Sequence, residues 1–288
     1  MKFTKTHIAD GALLGANHIA EMDRWTLENH ARRLAHSVYV GDRVALGRIL
    51  GRYKLYVATT DVGFGAHVLL DGLWESWLTV FMARIIKRGM NVIDVGANHG
   101  YYTVLFADLV GPDGLVAAIE PHPRTAELLR RSVDVNGFSG RVTVTEMAAS
   151  AEDGGSLVFH APPTEPKNAR VVPGGDLSHP EHVKVKAGRI DSIVKRWDRV
   201  DFVKIDVEGA EEAALAGLTR VLKRDKPRLL LEFNANRCAA PELLIDRLIK
   251  LYGGLRAVGF NCQAEPVSRE EVLKPERTED WILYFEAR

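Results

Sequence analysis

At 288 residues, with 46% hydrophobic and 26% charged side chains, the chain has the apolar content for one large domain, or one domain with an appended piece. Lys plus Arg equals Asp plus Glu at 38 each, and a zero net charge argues against a broad phosphate-binding face and hence against nucleic acid. No apolar run nears the roughly eighteen residues of a membrane span, no signal peptide is evident, and Cys238 and Cys262 form no CxxC pair, so a cytoplasmic protein without a cysteine metal knot is expected.

Trp25, Leu27, Ala31, Leu34 and Ala35 recur near helical spacing, so residues 1–40 are expected to be helical in part. Residues 43–72 look like short strands joined by glycine turns. "LWESWLTVFMARIIKRG" then places Trp74, Trp77, Leu78, Phe81 and Ile85 on one helix face, with Gly89 as a stop. Residues 1–72 are therefore read as an α+β extension, a cap or a dimer element, and 73–288 as the main domain.

From Asn91 onward strands and helices alternate. "NVIDV", "LVAAIE", "RVTVTEMA", "DFVKIDV" and "PRLLLEF" read as strands; "YYTVLFADLV", "RTAELLRRSVDVNGF", "AEEAALAGLTRVLKR" and "PELLIDRLIKLYGG" read as helices. This is the pattern of an α/β protein with a mainly parallel sheet and helices on both faces. The segment 155–197 breaks the rhythm with two extra strands, "GSLVFH" and "HVKVKAGRI". The long Pro- and Gly-rich loop between them, over 161–180, is either a lid or substrate loop or a solvated insertion.

In parallel sheets ligands bind beyond the carboxyl ends of the strands. Asp94 sits at such an end, followed by Gly96 and Gly100, which admit close backbone approach, and by a helix N-terminus that favours an anionic group. Glu120 ends the next strand, where a carboxylate suits a ribose diol. Asn98 replaces the middle glycine of a dinucleotide fingerprint and Tyr101 the last, which disfavours a nicotinamide cofactor, and no P-loop is present. A nucleoside without phosphates fits better. In S-adenosylmethionine (SAM) the helix N-terminus would take the methionine carboxylate and Asp94 the ammonium.

"VIDVGANHGYYT", "AIEPHP" and "DFVKIDVEGAEEAALAG" together resemble the FkbM-like SAM-dependent methyltransferases, over about residues 72–288. The resemblance implies a Rossmann-like class I methyltransferase fold, with a mainly parallel seven-stranded sheet and one antiparallel strand near the end, for which "DWILYFEAR" is well placed. It implies O-methyl transfer to a hydroxyl of a sugar, glycoconjugate or related natural product. It places Asp94, Gly96, Asn98, Gly100 and Tyr101 along the methionine part, Glu120 at the ribose, and Met147 and Ala148 beside adenine. His99 departs from the small or aliphatic residue expected there, and is read as pointing outward.

On the fourth strand Lys204 and Asp206 share one face, opposite Val203, Ile205 and Val207. Removing a hydroxyl proton calls for a carboxylate within reach. Asp206 is the first candidate base, with Glu208 or Glu232 behind it. Lys204 would hold a carboxylate ionised, or only form a buried ion pair with Glu232, while Glu208 equally suits a helix cap. The rival route is Mg²⁺ on Asp206, Glu232 and Asn234, an oxygen set of the kind that ion prefers, although no metal is favoured. His122 is expected to shape its turn, Trp74 and Trp77 to be core or wall, and Glu75 to approach the cofactor or lie on the surface. The alternative to an enzyme is a nucleoside- or glycan-binding protein that lost catalysis. A homo-oligomer is left open.

Overall fold

The computed structural model describes residues 12–162, 164, 169–172 and 174–287. The chain begins with helices α1 (Ala16–Glu21) and α2 (Arg24–Leu34), the latter capped by Asp23, whose carboxylate accepts from Thr26 N at 2.9 Å. Strands β1 (Ser37–Gly41), β2 (Val44–Ile49) and β3 (Tyr53–Ala58) form an antiparallel sheet of their own. The strands expected over 43–72 end there. Residues Phe64–Asp71 are instead helix α3, which buries Phe64, Gly65 and Val68 and stops at Gly72 in the left-handed region.

Helix α4 (Ser76–Ile85) is buried almost all round, not on the one face expected: Leu78, Thr79, Val80, Phe81, Met82 and Ala83 are all covered. The reason is that α1 and α2 lie against it on the side away from the sheet. Trp74 precedes the helix, and Trp77 and Ile85 are only partly buried.

The main sheet follows from the apolar runs. In chain order it comprises β4 (Asn91–Val95), α5 (Tyr101–Val110), β5 (Leu115–Ile119), α6 (Pro123–Val135) and β6 (Val142–Thr145). The chain then leaves this sheet. Ala148, expected to end the third strand, instead forms with Ala149 the strand β7 (Ala148–Ala149) of a second sheet with β8 (Gly155–His160), β9 (Arg170–Val171) and β10 (His182–Gly188), in the order β7-β10-β8-β9. A short α7 (Ile190–Ile193) leads back to the main sheet through β11 (Phe202–Ile205), α8 (Glu211–Gly217), α9 (Thr219–Asp225), β12 (Arg228–Phe233), α10 (Pro241–Tyr252), β13 (Arg256–Val258), β14 (Ala264–Pro266), α11 (Arg269–Val272) and β15 (Trp281–Phe285).

The order across the sheet is β6-β5-β4-β11-β12-β15-β13-β14. This is the Rossmann-like arrangement, with β15 antiparallel to β12 and a short eighth strand, β14, added at the edge. The single helix expected over 210–224 is divided at Leu218. A Cβ on Gly217 would lie 2.2 Å from Ser150 O, so the chain passes too close to the end of β7 for a side chain there.

Strand alternation divides the core. Val92, Val116 and Phe202 face α4, α5 and the N-terminal elements, where Leu14, Ile19, Leu27, Ile49 and Leu55 join the same cluster. Ile93, Val95, Val203, Ile205 and Leu231 face the other way, toward α8, α9 and α10. Each such fully buried aliphatic side chain contributes about 1.5–3 kcal/mol. Among the described residues no helix is long and apolar enough to cross a membrane.

Candidate active site

A cleft of about 360 Å³ opens at the carboxyl ends of β4, β5, β11 and β12, where the winding of the sheet reverses. Of the residues expected at the site, it is lined by Gly96, Asn98, Glu120, Met147, Ala148, Asp206, Glu208 and Glu232. Asp94, Gly100, Tyr101 and Lys204 are not on its wall.

The two glycines have a structural reason different from the one expected. A Cβ on Gly96 would stand 1.7 Å from the backbone oxygen of Asp206, and one on Gly100 would stand 2.4 Å from Leu129 Cδ1. Both residues have positive φ, 77° and 96°. They let the loop pack against the end of β11 and against α6. Asp94 is fully buried beneath that loop and its Oδ2 accepts from Thr103 Oγ1 at 2.6 Å. Burial raises its pKa, opposed by the Lys204 ammonium and the Thr103 bond. It therefore presents no carboxylate to the cleft for an ammonium, contrary to expectation. Tyr101 is also buried, its hydroxyl 3.1 Å from Thr79 Oγ1.

Glu120 is held by two backbone donors: Asn98 N at 2.9 Å on Oε2 and His122 N at 2.9 Å on Oε1. Burial pushes its pKa up to about 7 despite those bonds. His122 does shape its turn: its ring accepts from Thr125 N at 3.2 Å and caps α6. His99 does not point outward. It is 1% exposed, stacks on Phe64 with centroids 5.6 Å apart, and its Nε2 accepts from Ala58 N at 3.3 Å. Burial lowers its pKa to about 3, so the ring is neutral.

At the β11 and β12 tips, Lys204 Nζ donates to Asp206 Oδ2 at 2.9 Å. Lys204 is 3% exposed. Burial alone would favour its neutral form, but the Asp206 and Asp94 carboxylates outweigh that and raise its pKa. The ammonium also lies 5.1 Å from the Tyr102 ring centroid. The ion pair of Lys204 with Glu232 is not the one formed; Glu232 lies 3.6 Å from Arg237 Nη2. Arg237 also bonds Glu208 and Asp280. Glu208 is pushed up to about 7, by burial and then by Asp206. Burial, followed by the Asp206 charge, holds Glu232 protonated well above the usual carboxylate range.

Asp206, Glu208 and Glu232 bring one oxygen each within 4.8 Å of one another, a group that could hold a cation. Asn234 is not part of it: its amide donates to Thr278 O and Asp280 and its oxygen accepts from Asn236 N. Glu75, one of the two placements weighed for it, lines the cleft and accepts from Tyr102 Oη at 2.6 Å. Phe64, Phe159, Val171, Arg237 and Asp280 also line the cleft and were not singled out from the sequence. The only signal for Arg237 was a cation shortly after two acidic strand ends.

The strand order and the cleft at its switch point define a Rossmann-like α/β protein of the class I methyltransferase type. The chain belongs to the methyltransferase FkbM domain family, whose match spans residues 94–262. It is 35% identical over 106 residues to the protein-L-isoaspartate O-methyltransferase of Aeropyrum pernix, covering 33% of this chain and 39% of that protein. It is 29% identical over 146 residues to methyltransferase 1 of Beauveria bassiana, covering 44% of this chain and 57% of that one. The matches thus span less than two thirds of these curated relatives. A solved structure of Aeropyrum pernix fibrillarin with natively bound S-adenosyl-L-methionine aligns over 88% of this chain and 99% of that one, at 17% identity and a TM-score of 0.39.

Proposed function

We propose that the protein is a SAM-dependent O-methyltransferase acting on a hydroxyl of a sugar, glycoconjugate or related small molecule. The observation that carries this reading is the Lys204–Asp206 pair, at 2.9 Å, on the same cleft as Glu120 and the glycine loop. The residues present suit the cofactor. Val95, Ile119, Met147, Ala148 and Phe159 offer apolar cover for an adenine ring. Each Glu120 oxygen, already holding one backbone N–H, has a further lone pair for a ribose hydroxyl.

When bound, SAM supplies an electrophilic methyl on sulfur. The protein supplies position and proton acceptance. Asp206 would accept the proton of the acceptor's hydroxyl at its carboxylate. Lys204 fixes that carboxylate in place through its hydrogen bond to Oδ2. Glu232, whose carboxyl is held above the usual range by burial and the Asp206 charge, stands behind Asp206 as the second candidate for the acceptor's proton. Arg237 holds Glu208 and Asp280 along the acceptor side.

A second reading has a specific observation behind it. The Asp206, Glu208 and Glu232 oxygens would hold Mg²⁺, which would acidify the acceptor without a base. Arg237 already supplies positive charge to two of these three, which favours the base route.

The test uses labelled SAM with a library of hydroxyl acceptors. Asp206→Asn should lower turnover by about 10²–10⁴-fold while S-adenosylhomocysteine still binds. Unchanged turnover removes Asp206 from the mechanism. Cofactor binding without transfer to any acceptor favours the inactive binding protein.

A further inference from the structure

Away from the cleft, at the base of the 161–181 loop, three histidines converge. His160 ends β8 and His182 begins β10, and the two are directly paired across the antiparallel ladder. A tight turn brings the third: His182 N donates to His179 O at 3.0 Å. The ring centroids lie 5.9 Å apart for His160 and His179, 5.5 Å for His160 and His182, and 4.5 Å for His179 and His182. One nitrogen from each ring falls within 4.8 Å of the other two. A carboxylate stands beside His160, with Glu181 Oε2 3.7 Å from its Nε2, outside the group of mutually close nitrogens, so its side chain must swing in to complete the set.

We propose that His160, His179 and His182, with Glu181 as fourth ligand, bind a divalent transition-metal ion of the zinc type, which clasps the two ends of the 161–181 loop together. The donor set selects the ion. Imidazole nitrogen suits Zn²⁺, Ni²⁺, Co²⁺ and Cu²⁺, whereas Mg²⁺ and Ca²⁺ require oxygen. Three imidazoles and a carboxylate make a four-coordinate set. One outer partner is in place: His182 Nδ1 is 2.7 Å from Asp176 O. A bond to that carbonyl puts the proton on Nδ1 and leaves Nε2 free for a metal. Zn–N bonds of about 2.0–2.1 Å at tetrahedral angles need nitrogens roughly 3.4 Å apart. Closing from within 4.8 Å takes about an ångström, within reach of side chains that are not fully buried. His179 must give up the weaker bond it accepts from Glu181 N, 3.2 Å at Nδ1, to present its Nε2.

The clasp bears on the cleft through two short paths. Phe159, next to His160, lines the cleft, and so does Val171, which pairs with it across β8 and β9. Fixing the loop base therefore fixes part of the wall beside the candidate adenine pocket.

The test is calorimetry on the full chain, tag-free and freed of metal, titrated with ZnCl₂ and separately with MgCl₂. One equivalent of Zn²⁺ should bind, and the His160→Ala and His182→Ala variants should each weaken it more than about tenfold. His67→Ala, an exposed histidine in α3, should leave it unchanged. Co²⁺ in place of Zn²⁺ should give the visible bands of a four-coordinate ion, lost in the same two variants. Melting curves without metal check that the variants fold. Zn²⁺ binding that persists unchanged in His160→Ala and His182→Ala overturns the site, as does the absence of stoichiometric binding by the parent chain.

Discussion

Replacing Glu120 by Gln tests the ribose contact through its pH dependence. In the parent chain the carboxyl titrates at about 7, burial raising it and the Asn98 and His122 N–H groups opposing. A carboxylate accepting from two ribose hydroxyls binds in its ionised form, of which about 90% is present at pH 8 and about 10% at pH 6. The affinity for S-adenosylhomocysteine should therefore fall roughly tenfold between those values. Gln cannot ionise, and its NH₂ faces one of the two backbone donors, so Glu120→Gln should bind about 10–100-fold more weakly at pH 8 and show a flat profile. Glu208, also near 7 but paired with Arg237, supplies the control: Glu208→Gln should keep the parent slope. Calorimetry at half-unit steps reads all three. A parent profile flat from pH 6 to 8, or a slope that survives in Glu120→Gln, would falsify the assignment. The stability of the free protein runs the opposite way. A folded pKa above the unfolded 4.5 means that this group's contribution is present below pH 4.5 and is lost as the pH rises through about 7.

Gly96→Ala should lower stability by at least about 2 kcal/mol and abolish cofactor binding, because the added Cβ meets Asp206 O at 1.7 Å in a left-handed residue; a melting temperature within a degree of the parent would contradict this packing. Lys204→Met leaves the Asp206 and Asp94 carboxylates without their cation and should cost about 3–5 kcal/mol at neutral pH, a deficit that shrinks toward pH 4 in urea titrations; a pH-independent deficit would point to packing alone. His99, buried neutral with a pKa near 3 against 6.5 unfolded, makes its contribution above pH 6.5 and loses it as the pH falls, by roughly 1.4 kcal/mol per unit. In His99→Gln, which keeps an acceptor for Ala58 N, that part of the acid sensitivity should vanish; an unchanged pH–stability curve would show that the ring is not held as described. Prolonged dialysis against a chelator followed by return of ZnCl₂ alone should leave methyl transfer intact if Asp206 is the base, whereas activity restored only by Mg²⁺ would move the mechanism to the metal route.

The sheet was readable because its strands are apolar runs covered on both faces, and helices of ordinary length separate them. The acids at the strand tips were readable for the same reason: alternation fixes which side Lys204 and Asp206 share. What was hidden depends on contacts between distant segments. Gly96 meets Asp206 from 110 positions away in sequence, so the close approach that requires a glycine there has no local signal. Asp94 looked available at a strand end but is roofed by that loop. Arg237 and Asp280 arrive from loops whose positions no local pattern encodes. The helix at 64–71 was missed because its buried side rests on the N-terminal sheet, a partner that periodicity does not reveal.

His99 couples two parts of the molecule that a family-level view treats separately. The ring belongs to the glycine loop, inside the matched span of 94–262, yet its neighbours Ala58 and Phe64 belong to the segment before it. Any chimera that exchanges the first seventy or so residues among relatives must therefore carry position 99 along with them. A recipient with an aliphatic residue there would leave the incoming Ala58 amide without its acceptor, and a donor of this loop placed behind a foreign segment would bury an imidazole against nothing shaped to receive it. Exchange between relatives is thus constrained at a residue that is not on the wall of the cleft.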